Sequence, residues 1–181
     1  MAIAKIVSGG QTGADRGGLN AAIEADIPHG GYCPRGRRAE DGPIPEHYHL
    51  KEMHSEEYIA RTEANVVDSD ATVVFTYGAA TGGSLRTVEF AIKYQRPWLH
   101  VDLSVNGHRR HVADVAEWLQ NKSLGDDMVP VPENTVLNVA GSRGFKNPEM
   151  EDQVMHVMWD VLRQVNPDCA QLYPLRETAI I

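Results

Sequence analysis

Several glycines and an arginine follow the first apolar run of the chain, residues 3–7. Glycines let a backbone approach an anion closely, and the free N–H groups at the start of a helix point toward it. Because apolar residues resume after residue 18, we interpret this segment as a strand, a glycine turn and a helix, a unit that often binds phosphate. Its candidate binding residues are Gly9, Gly10, Gln11, Thr12, Gly13, Asp15 and Arg16.

Arg16 lies in the first turn of the predicted helix, where a cation faces the positive end of the helix dipole. The expected cost is about 0.3–1 kcal/mol, which a bound anion would remove. We therefore expect that Arg16→Ala weakens anion binding with little loss of stability. Thr12 and Asp15 have a spacing similar to that of a capping box. In the alternative interpretation the glycines serve only packing and Arg16 lies in solvent, and the sequence leaves both open.

Two further glycine turns each follow a predicted strand. The first follows the apolar, β-rich run 71–76, which is typical of a strand buried on both faces. The second follows the predicted strand 135–140. In addition, the segment 34–51 shows no periodicity, and a connection of that length is usually functional or disordered. The candidate binding residues of these three segments are Thr81, Gly82, Gly83, Ser84, Arg143, Arg35, Glu40 and Asp41.

Predicted strands and helices alternate along the chain with short connections. This pattern predicts an α/β fold of the Rossmann-like, three-layer α/β/α type, with a mostly parallel sheet of five to six strands. In such sheets ligands bind outside the carboxyl ends of the strands, so all the glycine turns should lie on one edge. We predict strands at 3–7, 30–33, 71–76, 98–103 and 135–140. Helices are predicted at 13–25, 55–68 and 111–120. Two more helices are predicted, one directly after the turn that ends at 84 and one from 147 to 166.

Apolar spacing predicts which face each helix buries. The first helix has a face of small residues that would let it lie close to the sheet. The predicted inward residues of the two middle helices are Tyr58, Ile59, Thr62 and Val66, and then Leu85, Val88, Ala91 and Ile92. Those of the last two helices are Val112, Val115, Ala116 and Leu119, and then Met150, Val154, Val157, Met158, Val161, Leu162 and Val165.

The composition is that of an ordinary globular protein. The chain has 181 residues, 42% of them hydrophobic and 23% charged, and a formal net charge of −8. This charge argues against general binding to nucleic acid or an anionic membrane. The two cysteines and the absence of a leader suggest a reducing, cytoplasmic location. We expect one ligand-binding domain over residues 1–165, followed by a tail at 166–181 that could pack at a subunit interface.

The glycine segments belong to a set of motifs that resembles the molybdenum cofactor carrier family. This family lies within the Rossmann-like SLOG group, which includes the lysine-decarboxylase-like (LOG) phosphoribohydrolases. The resemblance covers residues 3–165. Where the family has Gly-Pro-Arg-Glu after the fifth strand, this chain has Gly141-Ser142-Arg143-Gly144 and lacks the acid. The matching segments are residues 9–16, 39–45, 61–66 with 68–72, 81–84 and 137–141.

The resemblance implies a homo-oligomer, often a tetramer, that binds, protects and delivers molybdenum cofactor. The ligand would be molybdopterin or a similar phosphorylated heterocycle, and molybdoenzymes would be possible recipients. Molybdenum would be held by sulfurs of the pterin, so no metal ligand from the protein is expected. The pairs His47 with His49 and His108 with His111 have no third ligand at a familiar spacing.

An enzymatic alternative rests on the second glycine turn. LOG hydrolases carry Pro-Gly-Gly-x-Gly-Thr-x-x-Glu, and the matching run here ends at Glu89. If the chain were a nucleoside-monophosphate phosphoribohydrolase, Glu89 and Arg86 would be its catalytic residues. However, the third glycine of the motif is replaced by Leu85 and the threonine is displaced by one position. Glu89 could equally be a surface acid that pairs with Lys93 at i+4.

Overall fold

The computed structural model describes residues 2–120, 130–145 and 147–166. Strands and helices alternate as the sequence predicts, except over residues 29–52, where five two-residue strands follow one another. The strands are β1 (Ile3–Val7), β2 (His29–Gly30), β3 (Tyr32–Cys33), β4 (Arg38–Ala39), β5 (Gly42–Pro43), β6 (Lys51–Glu52), β7 (Ala71–Thr76), β8 (Trp98–Asp102) and β9 (Thr135–Gly141). The helices are α1 (Ala14–Glu24), α2 (Tyr58–Val67), α3 (Gly82–Lys93), α4 (His108–Leu119) and α5 (Met150–Val165).

Five of the described strands form one parallel sheet in the order β2-β1-β9-β7-β8. Every residue of β7 is buried, because β9 and β8 flank it and helices cover its faces. The predicted Rossmann-like α/β fold is therefore confirmed. The predicted second strand at 30–33 is divided, since β2 joins the main sheet while β3 pairs with β6.

The main core lies between the sheet and helices α1, α4 and α5. The predicted apolar stripes of α4 and α5 are confirmed, since every residue named for them is buried. The small-residue face of α1 is buried as well. The last helix begins at Met150, three residues after its predicted start at 147, and ends at Val165. Of the predicted tail, residues 167–181 lie outside the described residues.

The predicted inward faces of α2 and α3 are partly wrong. Ile59, Leu85 and Ile92 are exposed, at 45%, 43% and 58% of their surface. Polar residues take inward positions there, and each of them makes hydrogen bonds inside the fold. In α2 these are Arg61 and Asn65, and in α3 they are Ser84 and Thr87.

The segment 34–51 is folded rather than disordered. Ile44, Tyr48 and Leu50 pack with Leu19 of α1 in a second, smaller core. Arg37 organises the segment, because its guanidinium donates hydrogen bonds to four backbone carbonyls within 3.3 Å. The segment is thus fixed on the edge of the sheet where β1 ends. None of the described helices is long and apolar enough to cross a membrane.

Candidate functional site

A cavity of about 570 Å³ opens beside the carboxyl ends of β1, β7 and β9. The glycine turns after these strands meet around it, together with one face of α2 and part of the segment 34–51. The predicted site residues that line it are Gly9, Gln11, Asp15, Glu40, Thr81, Gly83, Ser84 and Arg143, and Arg86 lines it too. The lining does not include Gly10, Thr12, Gly13, Arg16, Arg35, Asp41, Gly82 or Glu89.

A buried ion pair, Arg61–Asp15, lies in the cavity wall. Arg61 Nη1 of α2 is 2.9 Å from Asp15 Oδ2 of α1, and both side chains are about nine-tenths buried. Asp15 Oδ2 also accepts a bond from the Gln11 N–H at 3.3 Å. Burial raises the pKa of Asp15 above its ordinary value, although the Arg61 guanidinium opposes this shift. The Arg61 Nε atom is buried and has no hydrogen-bond partner among the described residues.

Gly9 leaves the space that the Arg61 guanidinium occupies. A Cβ atom at Gly9 would lie 1.3 Å from Arg61 Nη1 and 2.8 Å from Asp15 Oδ2. Any side chain at this position would therefore displace the guanidinium from Asp15. Gly9, the first glycine of the motif, thus makes room for the buried Arg61, and Arg61 links the first glycine turn to α2.

The start of α1 is covered by the turn that follows β9. The N–H of Ala14 donates to the Ser142 carbonyl at 3.1 Å, and the N–H of Gly144 donates to Thr12 Oγ1 at 3.2 Å. Gly13 has a φ of 84°, and a Cβ there would lie 2.5 Å from the Ser142 oxygen. The predicted capping box is wrong, because Thr12 donates to Glu40 and no side chain caps α1.

The start of α3 is open. Among the described residues, no acceptor binds the N–H of Gly82 or Gly83, and a Cβ at either glycine would meet no atom within 4 Å. The first N–H groups of a helix bind anions because they are free and lie at the positive end of its dipole. The second glycine turn therefore presents the more accessible anion-binding backbone.

Arg143 lies over the ring of Tyr58, with 4.9 Å between its Cζ atom and the ring centroid. Its Nη1 atom is 3.9 Å from Glu40 Oε2. Glu40 Oε1 accepts bonds from Thr12 and from the N–H of Phe145, the latter at 3.0 Å. Glu40 thus joins three separate segments of the cavity wall. Phe145 also lines the cavity, with 83% of its surface exposed.

Arg16 and Asp41 bind each other. Arg16 Nη1 and Nη2 donate to the two Asp41 oxygens at 2.7 and 2.8 Å, and Nε donates to the Gly10 carbonyl at 3.1 Å. Arg16 is buried, so the interpretation that places it in solvent is wrong. Its partner is a carboxylate of the protein.

Glu89 is an exposed acid on the surface of α3. It pairs with Arg86 at 2.7 Å, whereas Lys93 pairs with Glu63 of α2 at 2.7 Å. The expected Glu89–Lys93 pair is therefore wrong. Arg86 is half exposed and lines the cavity, so it could also contact an anion there.

Sequence reasoning missed several residues of the cavity wall, which lie on α2, inside β9 or in the turn after β9. Tyr58, Arg61 and Asn65 follow each other at i, i+3 and i+7, a polar stripe that could have been found within α2. Asn138 of β9 donates to Thr72 Oγ1 at 3.3 Å. The lining residues that the sequence did not identify include Tyr58, Arg61, Asn65, Asn138 and Phe145.

A second cavity of about 520 Å³ lies between α4 and α5. His108, His111 and His156 line it, and His108 Nε2 is 2.7 Å from Asp160 Oδ2. His111 and His156 are bound to backbone carbonyls. Within the described ranges, no group of three or more His, Cys, Asp or Glu residues has an arrangement that could hold a metal ion.

This fold and this cavity define the class of protein. The chain belongs to the circularly permutated YpsA SLOG family, whose sequence profile matches residues 6–162. A crystal structure from Syntrophus aciditrophicus SB, titled "putative molybdenum carrier protein", is 42% identical in sequence, with a TM-score of 0.78. The match covers 89% of this chain and 95% of that chain. No curated protein matches the chain. These findings confirm the SLOG resemblance.

Proposed function

We propose that this chain binds and holds a small phosphorylated heterocycle of the molybdenum cofactor type in the cavity beside β1, β7 and β9. The observation that carries the proposal is the open start of α3, where Gly83, whose N–H has no acceptor among the described residues, lines a cavity that arginines also line. Its volume of about 570 Å³ is in the range of small-molecule sites, roughly 300–1,000 Å³. The structural neighbour, a protein described as a molybdenum carrier, supports the same ligand class.

The cavity has the chemistry that such a ligand needs. Arg86 and Arg143 are half exposed in its wall, where their guanidinium groups can make forked contacts with phosphate. Binding needs donors, shape and exclusion of water, and the folded segment 34–51 supplies part of the wall. In this proposal the bound molybdenum is cargo, held by the sulfurs of the pterin.

Native mass spectrometry tests the proposal directly. The full-length chain is purified without oxygen from cells that make molybdenum cofactor, and from cells that cannot make it. We expect an added mass equal to the cofactor only in the first sample. A variant that introduces a carboxylate at the open helix start, Gly83→Asp, should lose the added mass, because the new charge repels phosphate. Identical masses from both strains would contradict the proposal.

Hydrolysis of a nucleoside monophosphate remains the second candidate, and one observation weighs against it. The expected catalytic acid, Glu89, pairs with Arg86 and does not line the cavity. A general acid or base must reach the reacting bond. Incubation with adenosine monophosphate should therefore release no free base. Turnover of about one per second or faster, abolished by Glu89→Ala, would favour the hydrolase instead.

Delivery, assembly and location are further parts of the proposal. From the resemblance, we propose that the chain forms a homo-oligomer, with a tetramer favoured, in the cytoplasm. We also propose that molybdoenzymes receive the cargo. The tail at 166–181 could contribute to a subunit interface, and its residues 167–181 lie outside the described residues.

A further inference from the structure

Three oxygen atoms in the cavity wall lack a hydrogen-bond donor among the described residues. Asp15 accepts both of its bonds at Oδ2, and Glu40 accepts both of its bonds at Oε1. Asp15 Oδ1 therefore has no donor among the described residues, and Glu40 Oε2 has only the more distant Arg143 Nη1, at 3.9 Å. Gln11, which is 2% exposed, donates from Nε2 to the Arg38 carbonyl at 2.8 Å, so its buried Oε1 atom also has no partner.

These acceptors and the free donors belong to different elements. The acceptors come from the turn after β1, the first turn of α1 and the segment 34–51, whereas the free N–H groups lie at the start of α3. An unpaired acceptor in a cavity wall is costly unless a ligand or water donates to it. A ligand matched to this cavity therefore presents an anion to α3 and N–H groups to Gln11, Asp15 and Glu40.

We propose that these three oxygen atoms, which form an acceptor wall, select ligands in which a ring N–H lies next to an exocyclic amino group. The 2-amino-4-oxopyrimidine ring, which guanine and pterins share, has such an edge. Its two parallel N–H groups need two acceptors, and these must come from separate side chains, because Asp15 Oδ2 and Glu40 Oε1 already accept two bonds each. Adenine offers one amino group beside a ring nitrogen that is itself an acceptor, so one acceptor oxygen would face a lone pair. This inference rests on the proposed function and adds the orientation and the ring class of its ligand.

Asp41 provides a matched control for Glu40. The two carboxylates are consecutive in the chain, but Asp41 binds Arg16 and does not line the cavity. Glu40→Gln replaces an acceptor of the wall by a donor with little change of shape. Asp41→Asn changes the neighbouring carboxylate in the same way and leaves the wall intact.

The test is isothermal titration of the full-length protein, at neutral pH, with GMP, IMP, AMP, guanosine and 6-hydroxymethylpterin. IMP keeps the ring N–H of guanine but lacks its amino group. We expect GMP to bind about tenfold tighter than AMP, with IMP between them, because a site built for donors rejects rings that lack them. The Glu40→Gln variant should bring the GMP-to-AMP affinity ratio toward one, while Asp41→Asn should keep the ratio of the unchanged protein.

The outcomes distinguish failure of the ring inference from failure of the proposed function. Equal affinities for GMP and AMP in the unchanged protein would overturn the ring inference without any variant having to fold. If molybdenum cofactor binds nonetheless, the proposed function stands alone. If the unchanged protein binds neither the nucleotides nor the cofactor, both proposals fail. Tighter binding of 6-hydroxymethylpterin than of guanosine identifies the ring as a pterin, and the reverse order identifies a purine. Either order supports the selected edge.

Discussion

Arginines in this chain have three different roles that their positions in the sequence do not distinguish. Arg37 binds backbone carbonyls of its own segment, Arg61 is paired inside the cavity wall, and Arg143 lies half exposed over Tyr58. A guanidinium has five donors, so its role depends on which acceptors the fold brings to it. Arg16 illustrates this best, because its acceptors are Asp41 and the Gly10 carbonyl.

Arg16→Ala should destabilise the protein by about 1–3 kcal/mol, through lost packing of a buried side chain and an unpaired Gly10 carbonyl. This contradicts the sequence-based expectation of little stability loss. The measurement is urea unfolding, followed by titration of the folded variant with molybdenum cofactor. Because Arg16 does not line the cavity, we expect the affinity of the folded variant to change by less than about threefold. Unchanged stability would mean that the Arg16–Asp41 pair does not form.

The same pair predicts a dependence of stability on pH. Hydrogen bonds from Arg16 lower the pKa of Asp41 below its ordinary value of 3.8. A lowered folded-state pKa contributes stability above the ordinary pKa, and this contribution is lost as the pH falls through the lowered value. Because Asp41 is half exposed, we expect Asp41→Asn to cost about 1 kcal/mol or less at pH 7. Melting temperatures of the two proteins should converge below pH 4, and a constant difference would contradict the assignment.

At the scale of elements, the site depends on how α2 meets the first glycine turn. Arg61 reaches Asp15 only because Gly9 has no side chain. Asn65, one turn further along α2, exchanges two hydrogen bonds with the backbone of Tyr32 at 2.8 and 3.1 Å. Polar side chains therefore dock α2 onto the edge of the sheet. We therefore expect substitutions on the exposed face of α2 to be tolerated better than substitutions of the residues that contact Arg61.

Gly9→Ala should therefore destabilise the protein by about 2–4 kcal/mol, because the added methyl group separates Arg61 from Asp15 and leaves two buried charges unpaired. Gly83→Ala is the matched control. A Cβ at Gly83 meets no atom within 4 Å, and alanine in a helix is favoured over glycine by up to about 1 kcal/mol. Chemical denaturation of both variants checks the prediction. Similar stabilities for the two variants would mean that the Arg61–Asp15 pair contributes little.

Much of the fold could be predicted from the sequence, because the apolar stripes of α4 and α5 and the buried run of β7 have clear periodicities. The edge on which the glycine turns meet followed from the parallel topology. The sequence could not predict that the N-terminus of α3 is open while that of α1 is covered, because this depends on the position of the turn after β9. Arg61 was missed for a similar reason, since its partner is 46 residues away in the chain.

At the scale of the whole molecule, the proposed oligomer can be compared with the exposed apolar residues. Leu85 and Ile92 are exposed on α3, and Val67 is exposed on the neighbouring α2. If subunits associate through this face, Ile92→Asp should lower the molar mass measured by light scattering, because a buried charge at an interface is costly. Val105→Asp is the control, as Val105 is half exposed in the connection before α4. A monomeric unchanged protein would contradict the oligomer.

The hydrogen bonds of Glu40 should restrict the motion of the loops at the cavity entrance. Its carboxylate binds Thr12 and the backbone of Phe145, which lie 28 and 105 residues away along the chain. Loops usually exchange their amide hydrogens quickly, because they open without unfolding the core. Here the Phe145 amide should exchange slowly and at a rate similar to that of the Gly144 amide, since both are released only when these segments separate. Ligand exit would then require the joint opening of three loops, and Glu40→Ala should accelerate both amide exchange and ligand release.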